Sequence, residues 1–331
     1  IVTITLALSV NRILRRGAVI RKLHAVETLG CAGVIGTDKT GTITQNKMTV
    51  QRIWVPGRTL NVSGSGYRAQ GAVEENGRPV QAARDAALGR LCEAASLCTT
   101  AHITRAKDGY DVMGDPTEVA VLVAAAKAGV TKEALLQQYT VTGENPFDAA
   151  RKRMSVTVSG PGGARLLCKG APDMLLARCT HIATPAGPRL LAPRDRADIN
   201  AACARMAGEA LRVLGFAESS TPAAGEEKLC FLGLMGMLDP PRPEVRPAVQ
   251  RCREAGIKPV MITGDYKETA LAIARDVGIA RAGDGVLSGT ELDALSDSEL
   301  AARCMRVSVY ARVSPAHKLR IVRAYKAAGQ V

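Results

Sequence analysis

Residues 33–42 read GVIGTDKTGT, an apolar run that ends just before Asp38. A short apolar run followed by a glycine-containing loop predicts a buried strand with Asp38 at its carboxyl end. A carboxylate in that place can attack phosphorus as a nucleophile and form an acyl phosphate. Thr40 and Thr42 offer hydroxyls and backbone groups to phosphate oxygens, and Gly41 lets the backbone approach a ligand closely. The segment therefore indicates phosphoryl chemistry at the end of a strand.

The same alternation of strand, loop and helix returns near the end of the chain. Residues 259–263 (PVMIT) and 307–313 are apolar runs that predict two further buried strands. The predicted helices are 243–254, with a proline at its first position, 268–277, and the segment that Ser314-Pro315 begins and Gly329 ends. Repeating units of this kind predict a doubly wound parallel sheet, which binds ligands at the carboxyl ends of its strands. Asp38, Thr263 and the region before Lys318 lie at such ends.

The long middle of the chain does not repeat this pattern of strand, loop and helix. Three segments rich in glycine, serine or proline predict hairpin turns and surface loops, at 63–66, 160–163 and 184–188. Between them, residues 154–158 alternate like a strand and residues 82–97 are helical in pattern. We therefore expect a second α/β domain inserted into the first.

Composition excludes several classes of protein. The chain has 331 residues, a net charge of +13 and 47% hydrophobic residues, so it is a globular chain of about two domains and not a disordered one. The nine cysteines form no CxxC pair, which disfavours a disulfide scaffold or a zinc ribbon and favours buried, reduced thiols. Aromatic residues make up only 3%, and no nucleic-acid-binding module is visible, so the basic excess indicates nucleotides or a lipid surface and not a nucleic-acid partner.

The first residues leave two alternatives open. An apolar run over residues 1–10 precedes five cations, Arg12, Arg15, Arg16, Arg21 and Lys22. Ten residues cannot span a bilayer, which needs about 20, but an apolar run followed by cations is typical of the cytoplasmic end of a membrane helix. The same pattern also fits an amphipathic surface helix.

Residues 37–48 (TDKTGTITQNKM) resemble the phosphorylation site of P-type ATPases, whose catalytic domain has a haloacid dehalogenase-like fold. Further segments resemble the same family in the same order: 114–118, Phe147, 151–156, 169–172, 210–214, 238–242, 261–265 and 311–318. The resemblance implies an α/β protein with a doubly wound parallel sheet and an inserted nucleotide-binding domain of antiparallel sheet and helices. The implied domains are the end of a membrane helix and a stalk (1–29), a phosphorylation domain (30–47 and 236–331) and a nucleotide-binding domain (48–235).

The resemblance also implies a role for each residue at the strand ends. Asp38 would attack the γ-phosphate of ATP, and Mg²⁺ held by Asp38 and the carbonyl of Thr40 would neutralise phosphate charge. Thr263 and Lys318 would bind the transferred phosphoryl oxygens. The implied catalytic set is completed by Lys39, Gly264 and Asp265.

In the inserted domain the resemblance implies a nucleotide cleft. Phe147 would stack on adenine. The cleft would be lined by Glu118, Lys152, Lys169, Gly170 and Arg212, and Asp239 and Arg312 would lie beside the phosphorylation site. Ala149 and Ala150 replace residues that are often charged in relatives, so we expect a weaker affinity for nucleotide.

The resemblance implies the catalytic cytoplasmic part of an ATP-driven cation pump, with Ca²⁺ as the cargo, at the cytoplasmic face of a membrane. The composition, rich in Ala, Arg and Gly and poorer in Lys, indicates a bacterial source and thus a bacterial plasma membrane. The partners of the catalytic part would be ATP or ADP and the transmembrane and actuator domains of the same pump. A pump for Na⁺, K⁺, H⁺ or Mg²⁺ is an alternative, as is a soluble phosphatase of the same fold or a nucleotide-binding module without chemistry. The family's acidic Mg²⁺ loop does not occur within these residues, so we expect this chain alone to bind nucleotide but to phosphorylate Asp38 poorly.

One residue bears on the choice between pump and phosphatase. Many phosphatases of this fold place a second aspartate two residues after the nucleophile as general acid and base, and here that position is Thr40. Without that base, attack of water on the acyl phosphate is expected to be slow. A persistent phosphoenzyme suits an enzyme that must change conformation before hydrolysis.

Overall fold

A computed structural model describes residues 2–22, 24–106 and 109–331. It divides the chain into two compact units, one of Ile1–Thr44 with Pro241–Val331 and one of Gln45–Pro240. We call them the parallel unit and the inserted unit. The chain thus leaves the parallel unit after its first strand and returns to it after the insertion.

The helices and strands are numbered in chain order. Before the insertion lie α1 (Val2–Leu14), α2 (His24–Gly30) and β1 (Val34–Thr37). The strands of the inserted unit are β2 (Thr49–Val55), β3 (Arg58–Val62), β4 (Val73–Glu75), β5 (Arg78–Pro79), β6 (His102–Ala106), β7 (Gly109–Met113), β8 (Thr140–Asp148), β9 (Arg153–Gly160), β10 (Gly163–Gly170), β11 (Cys179–Thr184), β12 (Gly187–Leu190), β13 (Arg212–Ser219) and β14 (Leu229–Leu238). Its helices are α3 (Ala86–Leu97), α4 (Pro116–Lys127), α5 (Lys132–Leu136), α6 (Pro172–Leu176) and α7 (Pro193–Gly208). After the insertion follow α8 (Val245–Glu254), β15 (Lys258–Ile262), α9 (Lys267–Asp276), β16 (Gly285–Ser288), α10 (Gly289–Asp293), α11 (Asp297–Arg303), β17 (Val307–Ala311) and α12 (Pro315–Ala327).

The parallel unit is built on a four-stranded sheet in the order β1-β15-β17-β16, and each neighbouring pair is parallel. Thr37 lies opposite Met261, and Met261 lies opposite Val309, so the carboxyl ends of the three strands meet at one edge. β15 and β17 are apolar and almost wholly buried, because separate hydrophobic clusters cover the two faces of the sheet. The predicted parallel sheet is confirmed.

The inserted unit is built on an eleven-stranded sheet whose main path is β5-β4-β3-β2-β14-β13-β10-β9-β8. Neighbours on this path are antiparallel, while β11 joins β14 in parallel and pairs with β12. Helices α3 and α4 pack on one face, and α6 and α7 on the other. The predicted inserted domain of antiparallel sheet and helices is confirmed, as are the predicted turns after β9 and β11.

Two boundaries of predicted elements are wrong. The strand predicted over 307–313 ends at Ala311, because Arg312 has a φ of 52° and the left-handed conformation cannot continue a strand. The helix predicted over 82–97 is divided at Asp85, whose extended backbone ends a short 3₁₀ turn and whose carboxylate caps α3 by accepting a bond from Leu88 N.

A third boundary error concerns proline. The helix predicted to start at Pro243 begins at Val245, with Glu244 as its cap. Pro247 instead occupies the first turn of this helix. Its missing N–H costs nothing there, because the first four N–H groups of a helix have no partner within it.

The cysteines are free, and six of the nine are buried: Cys92, Cys98, Cys168, Cys179, Cys230 and Cys304. Burial raises the pKa of the Cys92 and Cys98 thiols to about 12, which keeps them protonated and unreactive. The prediction of buried, reduced thiols is confirmed for these six.

Helix α1 exposes apolar side chains, among them Ile4, Leu8 and Leu14. Among the residues that the structure describes, no helix has the length and apolar character needed to cross a bilayer.

Gly233, on β14 in the centre of the large sheet, offers a test of how closely the strands of this sheet pack. A Cβ on Gly233 would stand 2.4 Å from the carbonyl oxygen of Trp54 on the neighbouring strand, so Gly233→Ala must push two paired strands apart. We expect a loss of about 1–3 kcal/mol in the free energy of unfolding of the inserted unit. Trp54 is the single tryptophan of the chain and belongs to this unit, so urea unfolding followed by its fluorescence measures the loss.

The matched control is Gly208→Ala at the exposed end of α7, where a Cβ would meet no atom within 4 Å. It is expected to be neutral or to stabilise by up to about 1 kcal/mol, since alanine favours helix more than glycine does. Equal losses for the two variants would contradict the packing described for β14.

Candidate functional site

The carboxyl edge of the parallel sheet carries Asp38 directly after β1. Its Oδ1 accepts a hydrogen bond of 2.8 Å from the backbone N–H of Lys39, and its Oδ2 accepts one of 2.8 Å from Nζ of Lys318. The side chains of Asp38 and Lys318 are 45% and 43% exposed, so a ligand can reach both. The structure therefore joins the predicted nucleophile to the predicted phosphate-binding lysine.

The start of α12 places Lys318. Ser314 caps this helix by accepting from the N–H of His317 through its hydroxyl, at 3.3 Å. The N–H of Ser314 donates to Nδ1 of His317, at 3.1 Å, so the ring proton is assigned to Nε2, which donates to Asp293 at 2.8 Å. These bonds tie the first turn of α12 to α10. Lys318 lies in this first turn, at the amino-terminal end of α12, which is the positive end of the helix dipole.

A second ion pair at this edge has a buried lysine and a partly exposed aspartate. Lys39 is buried and forms an ion pair with Asp265. Thr263 is also buried, and its N–H donates to the carbonyl of Tyr310 on the neighbouring strand at 2.8 Å. Its hydroxyl accepts from the N–H of Asp265 at 3.2 Å, which leaves the hydroxyl hydrogen to donate to a ligand. Gly264, between them, is exposed, and a Cβ there would meet no atom within 4 Å, so the edge is open at this point.

The segment after Asp38 forms a wide turn. The carbonyl of Lys39 accepts from the N–H and the hydroxyl of Thr44, at 3.0 and 3.1 Å. Thr40 is extended and exposed within this turn, and Gly41 has a φ of 72°, a conformation that favours glycine. Arg242 holds the turn from outside, because its guanidinium donates to the carbonyls of Gly41 and Thr44 at 3.1 and 3.2 Å.

The two remaining residues that were predicted beside this edge belong to different units. Arg312 lies in the parallel unit, where its N–H donates to the carbonyl of Asp265 at 2.9 Å and its guanidinium lies 4.5 Å from the ring centre of Tyr266. Asp239 belongs to the inserted unit, where its Oδ1 accepts from the N–H of Lys47 at 3.0 Å.

In the inserted unit, Glu118 and Lys169 form a buried ion pair. Nζ of Lys169 lies 2.5 Å from Oε1 of Glu118, and both residues are buried. The other oxygen of Glu118 accepts three bonds, from the N–H and hydroxyl of Thr100 and from the N–H of Ala101, at 2.8–2.9 Å. The helix α4 and the strand β10 are thus joined through one fully bonded carboxylate.

These contacts change the acidity of Glu118. Burial alone would raise its pKa, but the charge of Lys169 and the hydrogen bonds from Lys169, Thr100 and Thr99 together lower the pKa to about 2. A second cation, Lys132, donates to the carbonyls of Thr99 and Ala101 at 2.7 and 2.9 Å, and burial lowers its pKa. The carboxylate is therefore charged at neutral pH.

The other predicted nucleotide residues lie around this pair. Arg212 donates to the hydroxyl of Thr117, next to Glu118, at 3.4 Å. Gly170 follows Lys169 and pairs with Arg153, and a Cβ there would stand 2.6 Å from the carbonyl oxygen of Lys152, so the close approach requires glycine.

Lys152 and Phe147 lie on the turn and strand next to this approach. The carbonyl of Lys152 accepts from the N–H of Ala171 at 2.9 Å, and its side chain is exposed. Phe147 stands on β8 and is 63% exposed, so its ring is accessible to a ligand.

Several residues that shape the two sites were not assigned from the sequence. They are Arg242, Asp293 and His317 in the parallel unit and Thr100, Ala101 and Lys132 in the inserted unit. Arg242 and His317 lie within the segments 238–242 and 311–318, whose resemblance to the family could have drawn attention to them. The others act through backbone groups or across elements, and nothing local marks them.

Comparison with known proteins agrees with this architecture. Residues 87–244 match the family described as P-type ATPase, cytoplasmic domain N, and residues 180–331 match the haloacid dehalogenase-like hydrolases. The chain is 42% identical to the "Calcium-transporting ATPase" of Bacillus subtilis, over 100% of this chain and 38% of that protein. It is 39% identical to the "Cation-transporting ATPase pma1" of Synechocystis and 40% identical to the "Probable cation-transporting ATPase F" of Mycobacterium tuberculosis, with the same shares covered. The chain thus spans about 38% of the length of these relatives.

The buried pair in the inserted unit makes a prediction about pH. The folded pKa of Glu118, about 2, lies below its ordinary value of 4.5, so its stabilisation is present above pH 4.5 and is lost as the pH falls towards 2. We expect Glu118→Gln to lower the free energy of unfolding by about 2–3 kcal/mol at pH 7 and by much less at pH 3. Urea unfolding followed by Trp54 fluorescence at the two pH values measures both losses.

The control for this experiment is Glu133→Gln, which removes an exposed acid from the neighbouring helix α5. It is expected to change stability by less than about 0.5 kcal/mol at either pH. A loss for Glu118→Gln that is equal at pH 3 and pH 7 would show that its charge does not stabilise the fold.

Proposed function

The chain belongs to the P-type ATPase family, and from that premise we propose that it is the nucleotide-binding and phosphorylation part of an ATP-driven cation pump. The parallel unit accepts a phosphoryl group on Asp38, and the inserted unit binds ATP. The observation that carries the proposal is the bond between Asp38 and Lys318, 280 residues apart in the sequence, at the open edge of the sheet.

In the proposed step, one carboxylate oxygen of Asp38 attacks the γ-phosphorus of ATP. The new bond joins this oxygen to phosphorus, the bond from phosphorus to the β–γ bridging oxygen breaks, and ADP leaves with the electron pair. Because phosphoryl transfer depends mainly on positioning and charge, the neighbouring cation and donors are the means of catalysis. Lys318 supplies the cation, and Thr263 and the backbone N–H of Lys39 supply donors.

Magnesium fits the oxygen donors at this edge. Mg²⁺ takes few protein ligands and keeps waters and phosphate oxygens in its shell, and a half-exposed carboxylate beside an exposed turn suits that preference. Asp38 and the carbonyl of Thr40 would hold the ion, which when bound neutralises charge on the phosphate.

The inserted unit supports nucleotide binding through an exposed aromatic ring and nearby cations. Phe147 would stack on adenine, and Lys152 and Arg212, both exposed, would face the sugar and phosphates. Lys169, which is paired with Glu118, would shape the cleft and contribute little net charge.

Calcium is the proposed cargo, because relatives at about 40% identity bear the name calcium-transporting ATPase. A pump requires a membrane part and an actuator part, so the proposed partners are those domains of the same protein and the proposed location is the cytoplasmic face of a membrane. Na⁺, K⁺, H⁺ and Mg²⁺ are alternative cargoes. Thr40, which replaces the second aspartate of many phosphatases of this fold, favours the pump over a soluble phosphatase.

The nucleophile is tested in a protein of the full length of these relatives. Asp38→Asn is expected to abolish acid-stable, hydroxylamine-sensitive labelling from γ-labelled ATP, because an amide cannot form an acyl phosphate. The matched control is Asp276→Asn at the exposed end of α9, which is expected to leave labelling unchanged. Label that persists in Asp38→Asn would exclude Asp38 as the phosphorylated residue.

The nucleotide site is tested with the present chain. Phe147→Ala is expected to weaken ADP binding about 10-fold in calorimetric titration, the size of effect that removal of a stacked aromatic has on a base. Because Phe147 is largely exposed, the thermal unfolding temperature should stay the same.

Val141→Ala provides the control for this titration, since Val141 is an exposed apolar residue of the same strand, β8. It is expected to bind ADP like the unaltered chain. Unchanged ADP affinity in Phe147→Ala would remove this ring from the proposed site.

A further inference from the structure

The segment that carries Phe147 and Lys152 lies at the edge of the large sheet. β8 is the last strand of the main path, and all nine of its residues are exposed. Its pairing with β9 is irregular between Asn145 and Asp148, next to Phe147. Strand pairing therefore fixes the position of this segment only weakly, and other contacts must hold it.

Arg151 supplies such contacts from the turn between β8 and β9. One nitrogen of its guanidinium, Nη2, donates to the side-chain oxygen of Asn145 and to the carbonyl of Pro146, at 3.1 and 2.6 Å. The other, Nη1, donates to Oε1 of Glu226 at 2.8 Å. Its backbone N–H donates to the carboxylate of Asp148 at 2.8 Å. One planar group thus connects the residue before Phe147 to a distant loop.

Glu226 is the anchor of this arrangement. It lies in the loop between β13 and β14, and its carboxylate also accepts from Nε of Arg153 at 2.5 Å, from the hydroxyl of Ser155 at 2.8 Å and from the amide of Asn145 at 3.3 Å. Burial alone would raise the pKa of Glu226. The hydrogen bonds from Ser155, Arg151 and Arg153 outweigh that effect, so its pKa lies below the ordinary value. The charged carboxylate holds both strands of the hairpin.

These contacts lie on the opposite face of the sheet from the buried ion pair. Ser155 is opposite Cys168 in the register of β9 and β10, and Lys169 is the next residue along β10. Since successive side chains of a strand point to opposite faces, Ser155 and the Glu226 carboxylate that it bonds lie away from Lys169 and Glu118. Glu226 thus contacts the segment from the face opposite to the Lys169–Glu118 pair.

We propose that Arg151 and Glu226 form a clamp that positions Phe147 and Lys152 for nucleotide binding. The proposal rests on the proposed function of the inserted unit, and within it assigns these two residues a positioning role. The clamp matters because an exposed edge strand with an irregular register would otherwise let the aromatic ring sample more positions, at an entropic cost on binding.

The direction in which ADP affinity changes in Glu226→Gln distinguishes a clamp from simple electrostatics. Removal of an acid near a nucleotide site should strengthen the binding of anionic ADP if charge alone matters. The clamp predicts the reverse for Glu226→Gln, a loss of affinity of about 3- to 30-fold in calorimetric titration of the chain with ADP. Arg151→Lys keeps the charge but cannot bridge the same acceptors, so it should lose affinity to a similar extent.

The matched control is Glu227→Gln. Glu227 is the next residue in the same loop, forms an ion pair with Arg178, and loses the same charge in the variant. It is expected to bind ADP like the unaltered chain or slightly more tightly. Thermal unfolding of each variant shows that it is folded, and should Glu226→Gln not fold, Arg151→Lys alone decides the outcome.

A double-mutant cycle with Phe147→Ala distinguishes positioning from a general structural role. If Glu226 acts through the aromatic ring, Glu226→Gln should cost less than about twofold once Phe147 is alanine, since the two effects are then not additive. Full additivity, or unchanged affinity in both Glu226→Gln and Arg151→Lys while Phe147→Ala binds weakly, would overturn the clamp and leave the nucleotide site standing. Unchanged affinity in Phe147→Ala itself would instead overturn the adenine site, and the clamp with it.

Discussion

The parallel pairing of β1 with β15 is the constraint on which the candidate catalytic site depends. Because Thr37 lies opposite Met261, the chain leaves both strands at the same edge, and Asp38 and Thr263 follow at neighbouring positions. The pairing of β15 with β17 adds the segment that leads to α12 and brings Lys318 to the same edge. A shift of one residue in this register would turn each side chain to the other face and separate the carboxylate from its cation.

Periodicity and terminating residues predicted much of this unit. The runs around residues 33–37 and 259–263 are mainly apolar, and both are strands in the structure. Residues 259–262 of β15 are buried as predicted, whereas the prediction of a buried strand is wrong for β1, where Ile35 and Gly36 are exposed. The end of β17 could not be predicted in the same way. Arg312 adopts its left-handed backbone where its N–H bonds the carbonyl of Asp265, a contact between distant segments that no local pattern encodes.

The contacts of Glu118 in the inserted unit show a second limit of prediction from the sequence. Motif order singles out Glu118 and Lys169 separately, but their direct pairing depends on a helix packing against a strand 51 residues later. The backbone N–H groups of Thr100 and Ala101 complete the hydrogen bonding of the Glu118 carboxylate. Almost every residue type has a backbone N–H, so the identity of these two residues does not indicate the contact. Such contacts follow from the fold and can be found only once it is known.

The ion pairs of the two units differ in a way that matches their proposed roles. Lys169 with Glu118 is a buried pair, and to break it would leave a charge without compensation in a poorly solvated place. Lys39 is buried too, while the side chain of its partner Asp265 is 35% exposed. Lys318 with Asp38 is nearly half exposed, and such a pair contributes at most about 1 kcal/mol. In the proposed function, an incoming phosphoryl group can therefore replace the carboxylate as the partner of Lys318 at little cost, while the two buried lysines, Lys39 and Lys169, keep their partners. Exposure of the pair, more than the identity of its residues, thus decides which lysine can exchange its partner for a phosphate.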